Sequence, residues 1–433
     1  MPEVLIASLS PVGHIAPLLN VAQGLVDRGD RVTVLSSADH TVKIRAAGAT
    51  PYAIPAEADF DMTRLDIDLP GRTETSGIKR VNFDIVRLFV QPMPHQTKVL
   101  SELMTQARFD AIIVDAGFFG ILPFLLGDRA ARPPVLAYTT TPLMISSRDT
   151  APSGMGLPPS SSTLGRLRNR ALTVLSQKVL LRQSQQAANY LLDHLNSRPL
   201  PTFILDSGLL ADRYISPTVP EFDYPRSDLP AHVRYVGAVH PSPSNRFRLP
   251  SWWAELDGDR PVVHVTQGTI DNADLGRLVE PTIEALGGED VIVVATTGRR
   301  EHPKVALPSN TFVAEFIPHD LLLPKVDVMV TNGGYGAVQR ALSMGVPLVV
   351  AGNTEDKPEV AARVAWTGAG INLRTDTPTP WAVRTAVRAV LNDGRYLGAA
   401  RRLEAAFARR DGVAEIAALV DEVIGEHRTT VKR

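Results

Sequence analysis

The sequence contains no cysteine, which excludes disulfide bridges, thiolate metal sites and a cysteine nucleophile. It also lacks an excess of charge of either sign, because 45 lysine and arginine residues stand against 46 aspartate and glutamate residues. The resulting net charge of −1 argues against a polyanion-binding protein, so nucleic acid is not expected as a partner.

Long hydrophobic runs are missing as well. The most apolar stretch, residues 116–127, has only 12 residues, contains Pro123 and is flanked by aspartates. It is too short to cross a bilayer, and the first residues, MPEVLIASLS, lack the basic segment of a secretory signal. We therefore expect a cytoplasmic protein without a membrane span.

The 433 residues, of which 44% are hydrophobic and 21% charged, are enough for two globular domains. Short β-branched runs alternate with segments of helical period, which is the pattern of parallel strands joined by crossover helices. The expected strands are 4–9, 31–36, 111–115 and 134–139 in the first half, and 262–266, 291–296, 312–316, 328–331 and 346–351 in the second. The sequence therefore predicts an α/β protein with two parallel-sheet domains, in which the first helix begins near Pro17.

The proline-rich segment 216–250, with one strand-like run at 233–239, separates the two halves. We expect an N-terminal domain over 1–232, a linker region over 233–258, a C-terminal domain over 259–410 and a C-terminal helix over 411–433. Packing of that last helix back on the N-terminal domain is one option. Two long polar loops, 56–77 and 150–165, interrupt the alternation, as loops with a binding function do.

A glycine-rich loop follows the strand predicted at 328–331 and precedes a helix. Its sequence, TNGGYGA, lets backbone N–H groups approach a ligand, and the helix N-terminus favours negative charge, so the loop suits a diphosphate. Glycines at this position can equally serve only to make the turn. The loop matches neither the Rossmann fingerprint nor the P-loop, since no lysine follows the glycines.

His14 lies in the loop after the first strand, at the head of the first helix. There the helix dipole is expected to lower the pKa of His14 and keep the imidazole neutral enough to act as a base. Asp115 ends a buried run in the same sheet and is expected to reach His14 and fix its tautomer, which is the arrangement that general-base catalysis needs. A capping or packing role for His14 is the alternative.

With these motifs the sequence resembles a family 1, UGT-like glycosyltransferase of the two-domain GT-B fold, of the bacterial natural-product or macrolide type, over essentially the whole chain. The segment GHIAP at 13–17 corresponds to the family's GHxxP, which implies a catalytic role for His14, and Asp115 corresponds to the aspartate that completes the dyad. The second half offers the order of the family's nucleotide-sugar box: an aromatic before a proline, the glycine-rich loop, GVP at 345–347 and then an acidic residue.

The resemblance also implies which residues bind the donor. In the family the aromatic segment holds the base, the glycine-rich loop holds the diphosphate, the acidic residue binds sugar hydroxyls, and the turn after the strand 262–266 contacts phosphate. These roles fall on Gln267, Thr269, Phe316, Ile317, Asn332, Gly333, Gly334, Gly336, Ala337, Arg340, Glu355, Asp356 and Lys357.

Three positions depart from the family pattern. Asn332 stands where relatives have a histidine, and its amide can still donate a hydrogen bond. Arg340 replaces a glutamate that grips the ribose, so either Gln339 or Glu355 substitutes or the nucleotide differs. Lys357 replaces a glutamine and could pair with Glu355 or alter the choice of sugar.

No metal ion is expected. The two acidic triplets at 66–68 and 257–259 are interpreted as solvated turns, and the end of a helix can take the charge of the leaving group without an ion. The nucleotide diphosphate sugar is a co-substrate and not a cofactor.

The sequence therefore predicts an inverting transferase that moves a hexose from a UDP- or TDP-sugar to a hydroxyl of a hydrophobic small molecule, in a monomer or homodimer. The acceptor is expected under the loops 56–77 and 150–165, with an apolar lining unless the core claims the same side chains: Phe83, Phe89, Phe118, Phe119 and Met144. Two alternatives stay open: a sugar-nucleotide epimerase on the same architecture, and a non-catalytic partner protein with the same fold.

Overall fold

A computed structural model describes residues 1–61, 64–241, 247–268, 272–298 and 301–431 of the protein. Within these ranges the strands form two parallel sheets. The strands of the first sheet are β1 (Glu3–Ala7), β2 (Arg31–Ser36), β3 (Thr50–Ala53), β4 (Ala111–Asp115), β5 (Val135–Tyr138), β6 (Arg213–Ser216) and β7 (Val233–Tyr235). The strands of the second are β8 (Val262–Thr266), β9 (Ile292–Thr296), β10 (Thr311–Ala314), β11 (Val328–Thr331), β12 (Leu348–Val350) and β13 (Gly370–Asn372).

The strand orders are β3-β2-β1-β4-β5-β6-β7 and β10-β9-β8-β11-β12-β13. In each sheet the order reverses beside the first strand, so the loops after β1 and β4, and those after β8 and β11, meet at one edge. Ligands of open parallel sheets bind at such switch points.

Helices cover both sheets. They are α1 (Val12–Asp27), α2 (Thr41–Ala46), α3 (Leu65–Asp68), α4 (Gly77–Asp84), α5 (Met93–Gln106), α6 (Leu122–Leu126), α7 (Thr163–Leu175), α8 (Arg182–His194), α9 (Val279–Leu286), α10 (His319–Leu322), α11 (Tyr335–Leu342), α12 (Lys357–Thr367), α13 (Pro380–Asn392), α14 (Gly394–Phe407) and α15 (Gly412–Val431). Two segments with wider, π-type turns, Ile85–Val90 and Ser176–Leu180, follow α4 and α7. In the described part of the chain no helix is long and apolar enough to cross a bilayer.

Each sheet has a hydrophobic core on both faces, as expected for strands that lie between two helix layers. In β1, Val4 and Ile6 pack into the core that contains α1 and α15, while Leu5 and Ala7 pack into the core on the opposite face. The second sheet is covered in the same way on its two faces. The prediction of an α/β protein with two parallel sheets is confirmed.

Long β-branched runs located the strands well. The bounds predicted at 31–36, 111–115, 262–266 and 328–331 match β2, β4, β8 and β11. The sequence analysis missed β3, β6 and β13, whose sequences TPYA, RYIS and GIN contain no apolar run. The prediction that the first helix begins near Pro17 is wrong, because α1 begins at Val12 and has Pro17 inside it.

The chain passes between the two sheets at two places. β7, at the start of the segment assigned to the linker, pairs with β6 in the first sheet, and the chain then runs to β8 in the second. It returns after α14, and α15 packs back on α1, where Arg28 donates to Asp421 over 3.0 Å. The domain boundaries themselves stay a prediction.

These two passages touch each other. The Nη1 atom of Arg410 donates to the carbonyl oxygen of Tyr235 over 3.2 Å. Gly237 has a φ of +81°, and a Cβ atom on it would lie 2.4 Å from Cβ of Arg410. A Cβ atom on Gly412 would lie 2.7 Å from the carbonyl oxygen of Ala238. Only glycine fits at either position without a shift of the other segment.

Candidate active site

His14 occupies the first turn of α1, directly after the carboxyl end of β1. Its Nδ1 atom lies 2.7 Å from Oδ2 of Asp115, the last residue of the neighbouring strand β4. The Oγ1 atom of Thr140, which follows β5, lies 3.1 Å from the same nitrogen. The contact predicted between His14 and Asp115 is confirmed, because three adjacent strands bring their carboxyl ends to one edge.

The carboxylate of Asp115 is buried and has a second hydrogen-bond partner. Its Oδ1 atom accepts a hydrogen bond from the backbone N–H of Gly117 over 2.8 Å, and its side chain is 1% exposed. The side chain of His14 is 23% exposed, and its Nε2 atom meets no hydrogen-bond partner among the residues the structure describes. A small molecule can therefore reach Nε2 of His14 but not the carboxylate of Asp115.

The predicted direction of the pKa shift of His14 is wrong. Burial disfavours the charged imidazole, but the charge of Asp115 and its hydrogen bond, with smaller contributions from Asp356 and Glu355, outweigh burial and raise the pKa of His14. The expectation considered only the helix dipole, which is weaker than a carboxylate at 2.7 Å.

The second sheet adds carboxylates to the surroundings of His14. Burial, with a smaller contribution from Glu355, raises the pKa of Asp356 to about 6, although Lys357 and His14 act in the opposite direction. His14 and Asp356 are therefore near enough for each charge to shift the pKa of the other.

The glycine-rich loop joins β11 to α11, which begins at Tyr335. Gly333 has a φ of +88°, and a Cβ atom on it would lie 2.8 Å from Cγ1 of Val350. A Cβ atom on Gly352, after β12, would lie 1.9 Å from the carbonyl oxygen of Asn332. The glycines therefore let two loops of the second sheet approach closely, while Gly336, in α11, has open space around it.

The amide side chains of Asn332 and Gln267 form hydrogen bonds to the protein backbone. The Nδ2 atom of Asn332 donates to the carbonyl oxygen of Gln267 over 2.6 Å, and the Oδ1 atom accepts from the N–H of Gly334 over 3.4 Å. The Oε1 atom of Gln267 accepts from the N–H groups of Leu278 and Val279 at the start of α9. These two amide side chains thus fix the loops after β8 and β11 to each other and to α9.

The other predicted donor residues are spread along the same edge of the second sheet. Phe316 follows β10 and is 58% exposed, whereas the side chain of Ile317 is buried in the core.

Arg340 in α11 is half-buried, and burial lowers its pKa while Asp320 raises it. Thr269 lies outside the described residues. Gly334 and Ala337 lie at the first turn of α11, where both are partly exposed.

The pairing predicted for Lys357 is confirmed. Its Nζ atom lies 2.5 Å from Oε2 of Glu355 and 3.1 Å from Oγ1 of Thr354. Glu355 has a φ of +56°, so the backbone turns sharply before α12 begins. Gln339, the other candidate for the ribose, is buried, and its Oε1 atom has no hydrogen-bond partner among the described residues.

Two contacts at or beside the candidate site were not predicted. Thr140 touches His14, and its position after a strand of the first sheet was the signal that could have identified it. The Oε1 atom of Glu359 in α12 accepts from the N–H groups of Gly154 and Gly156 over 2.8 and 2.9 Å. The helix that begins beside Asp356 therefore also holds the loop 150–165 of the first half.

Glu359 belongs to a buried ionic network between the halves. Arg363 donates to Oε2 of Glu359 and to Oδ1 of Asp223, both over 2.9 Å, and its guanidinium lies 4.1 Å from the ring centre of Tyr224. Arg226 donates to the other oxygen of Asp223. These contacts hold the pKa of Asp223 below its ordinary value in spite of burial.

A small cavity lies beside the glycine-rich loop. Its lining consists of Gln267, Arg277, Leu278, Asn332, Ala351, Gly352 and Asp376. Two of these lining residues, Arg277 and Asp376, which the sequence analysis did not consider, form an ion pair with a distance of 2.6 Å.

The predicted acceptor lining is only partly available. Phe118 and Phe119 are buried in two hydrophobic cores, so core packing claims them. Phe83, Phe89 and Met144 are partly exposed. The first acidic triplet is not the solvated turn that the sequence analysis expected, because Asp66 and Asp68 lie in α3, where they pair with Arg72 and Arg64. Asp257 pairs with Lys325. The described residues contain no group of three His, Asp or Glu side chains that could hold a metal ion.

Comparison with known proteins gives results for the sequence and for the fold. Residues 280–423 match the family described as the C-terminal domain of erythromycin biosynthesis protein CIII-like proteins. The chain is 41% identical to 4'-demethylrebeccamycin synthase of Lentzea aerocolonigenes over 98% of this chain and 99% of that protein. It is 36% identical to UDP-glycosyltransferase 2 of Phaeomoniella chlamydospora, over 98% and 96% of the two chains. The fold matches the crystal structure of the kitacinnamycin glycosyltransferase with a TM-score of 0.74 at 20% identity, over 98% of this chain and 100% of the other.

Proposed function

Because this chain belongs to the family 1, UGT-like glycosyltransferases of the GT-B fold, of the bacterial natural-product type, we propose that it transfers a hexose from a UDP- or TDP-sugar to a hydroxyl of a hydrophobic small molecule, with inversion at the anomeric carbon. The observation that carries this proposal is the contact between His14 and Asp115 at the edge of the first sheet. The proposed place of reaction is the cytoplasm, in a monomer or homodimer.

His14 acts as the general base. With Nδ1 donating its hydrogen to Asp115, the lone pair of Nε2 removes the proton of the acceptor hydroxyl. The acceptor oxygen then forms a bond to the anomeric carbon from one face, while the bond from that carbon to the diphosphate oxygen breaks on the other. The nucleoside diphosphate leaves with the electron pair, and the imidazolium is stabilised by Asp115.

The donor binds along the second sheet. The diphosphate lies against the backbone of Gly333 and Gly334 and the first turn of α11, where the helix N-terminus favours negative charge. Asp356 accepts hydrogen bonds from sugar hydroxyls, and the segment with Phe316 and Ile317 holds the base. In this proposal no metal ion takes part, because the helix end and backbone donors carry the charge of the leaving group.

The two alternatives from the sequence are less favoured. An epimerase needs no acceptor, whereas the closely similar relatives are named for synthesis or transfer. A non-catalytic partner has no use for a base and an orienting carboxylate at 2.7 Å.

The donor can be identified first by thermal unfolding of the full chain with UDP, TDP, GDP or ADP, each with and without magnesium. A ligand at 100 times its Kd stabilises the folded state by about 2.7 kcal/mol. One diphosphate that shifts the unfolding temperature without magnesium supports the donor site. The absence of a shift with all four would favour the non-catalytic alternative.

The role of His14 is tested with that donor sugar and a panel of apolar hydroxylated acceptors. His14→Ala should lower kcat by about two to four decades and leave the Kd of the nucleotide unchanged. His95→Ala is the matched control, since His95 is an exposed histidine of α5. Nucleotide release that needs no acceptor would instead support the epimerase.

A further inference from the structure

Helix α7 exposes its apolar side and buries a polar one. Leu164, Leu167, Val174 and Val179, on α7 and the wide turns after it, each leave between 54% and 79% of their surface exposed. In contrast Asn169 is fully buried, where its Nδ2 atom donates to the carbonyl oxygen of Arg148 over 3.1 Å. An ordinary surface helix has the opposite arrangement, so this exposed side is prepared to contact something other than water.

The charge of this region is of one sign. Residues 150–192 contain five arginine and lysine residues and neither aspartate nor glutamate, although the whole chain is nearly neutral. Of the five, Arg166 is engaged with Asp149 over 2.8 Å and Arg168 with Asn169. The remaining three are exposed on and after α7: Arg170, Lys178 and Arg182.

A second helix extends this surface. The Nδ2 atom of Asn82 in α4 donates to the carbonyl oxygen of Leu180 over 2.6 Å, and Ser184 in α8 donates to Oδ1 of Asn82 over 2.8 Å. α4 therefore lies beside the wide turns that follow α7, and it exposes the apolar residues Ile78 and Val81. We call this surface the α7 patch: Leu164, Leu167, Arg170, Val174, Leu175, Lys178, Val179 and Arg182, with Ile78 and Val81 beside them.

We propose that the α7 patch binds the surface of a bilayer that contains anionic lipids. The exposed stripe from Leu164 to Val179 is roughly 22 Å long at 1.5 Å per residue, and it is a convex helix side rather than a groove. Apolar side chains between cations are the pattern of helices that lie in the interface of a membrane, where the chains enter the acyl boundary and the cations meet phosphate groups.

The positive charge decides between the possible occupants. Two copies of this chain would bring the same cations together, which opposes self-association through this patch. An anionic bilayer contacts the apolar side chains and the cations of the α7 patch at the same time, and this contact needs no shape complementarity. The binding is peripheral, and the proposal does not depend on the proposed transfer activity.

The test is co-sedimentation of the full chain with two kinds of vesicle: phosphatidylcholine alone, and phosphatidylcholine with about 30 to 40% phosphatidylglycerol. The second composition gives a surface potential of the order found in cells. We expect binding to the anionic vesicles only, weakened by salt. The variant Arg170→Gln/Lys178→Gln/Arg182→Gln should bind about a hundredfold more weakly, at roughly fivefold per charge. The variant Leu164→Gln/Leu167→Gln/Val174→Gln should lose about tenfold or more.

The matched control removes three exposed cations from the second half of the chain: Lys304→Gln/Arg374→Gln/Arg402→Gln. It should bind as the original chain does, and unfolding temperatures should agree among all variants because the altered side chains are exposed. Failure of the original chain to bind anionic vesicles, or equal loss in the control, would overturn the proposal. So would a dimer in gel filtration that the apolar variant converts to a monomer while vesicle binding is absent, since the patch would then belong to a second copy.

Discussion

The two sites that face each other between the sheets are built in different ways. At the edge of the first sheet, His14 contacts both Asp115 and Thr140 through one ring nitrogen, and the other ring nitrogen is left for a substrate. In the second sheet, the amides of Asn332 and Gln267 are used to hold the protein's own loops. In the proposed function, proton transfer therefore relies on side chains, while anion binding relies on backbone that side chains keep in place.

For the proposed function, this difference predicts that the departures from the family pattern leave the donor site intact. A side chain that positions the backbone can change as long as the loop keeps its shape, which the amide of Asn332 achieves through Gln267. A base has no such freedom, because only the imidazole and its carboxylate supply the proton chemistry. Four substitutions test this division, from the largest expected effect to the smallest.

Asp115→Asn should cause the largest loss, about two to four decades in kcat, because the amide no longer orients His14 or stabilises the imidazolium. Since Asp115 raises the pKa of His14 and the base must be neutral, the acid limb of the pH profile of kcat should move to lower pH in the variant. Steady-state kinetics over the pH range checks both effects. An unchanged kcat would show that the dyad does not do the chemistry.

Gly333→Ala should weaken nucleotide binding by about tenfold or more and lower the free energy of unfolding by about 1 to 2 kcal/mol. The new Cβ atom would lie 2.8 Å from Val350, in a backbone conformation that disfavours side chains. Gly425→Ala is the control, because a Cβ atom there meets nothing within 4 Å and α15 is helical. Equal stability of the two variants in urea unfolding would contradict the role given to the close approach.

Asn332→Ala should act first on stability, because it removes the buried hydrogen bond from Asn332 to the carbonyl oxygen of Gln267. We expect a loss of about 1 to 3 kcal/mol in the free energy of unfolding, with a raised KM for the donor and a smaller change in kcat. Asn392→Ala, at an exposed position at the end of α13, serves as the comparison. A loss in kcat with unchanged stability would mean that the Asn332 amide acts on the substrate directly.

Thr140→Val should have the smallest effect, a decrease in kcat of up to about tenfold, because the Thr140 hydroxyl is one neutral hydrogen-bond partner of His14 beside a charged one. Thr140→Ser keeps the hydroxyl and should keep most of the activity. If Thr140→Val matched Asp115→Asn in its effect, the hydroxyl and not the carboxylate would be the group that orients His14.

The sequence predicted those features that depend on local pattern. Strands with continuous β-branched runs, such as β4 and β8, and the meeting of His14 with Asp115 follow from periodicity and the parallel topology. The short strands β3, β6 and β13 have partners on one or two sides but no apolar run of their own, so only pairing reveals them.

The features that could not be predicted depend on contacts between distant parts of the chain. The pKa of His14 is set partly by Asp356 and Glu355, which lie in the loop after β12 of the other sheet. The hydrogen bonds from the backbone N–H groups of Gly154 and Gly156 to Glu359 join residues about 200 positions apart. Nothing in the sequence of either segment indicates that the two are in contact. Spacing along the chain carries no information about such pairs.

The contact between the two passages of the chain, at Gly237 and Gly412, has a mechanical consequence. The two connections lie side by side at this contact. A rotation of one half about the line through the contact stretches neither connection, whereas a twist or a slide of one half over the other strains both. A rotation about that line is therefore the relative movement of the two halves that strains these connections least. Glycine at positions 237 and 412 allows the two connections to pass this close to each other.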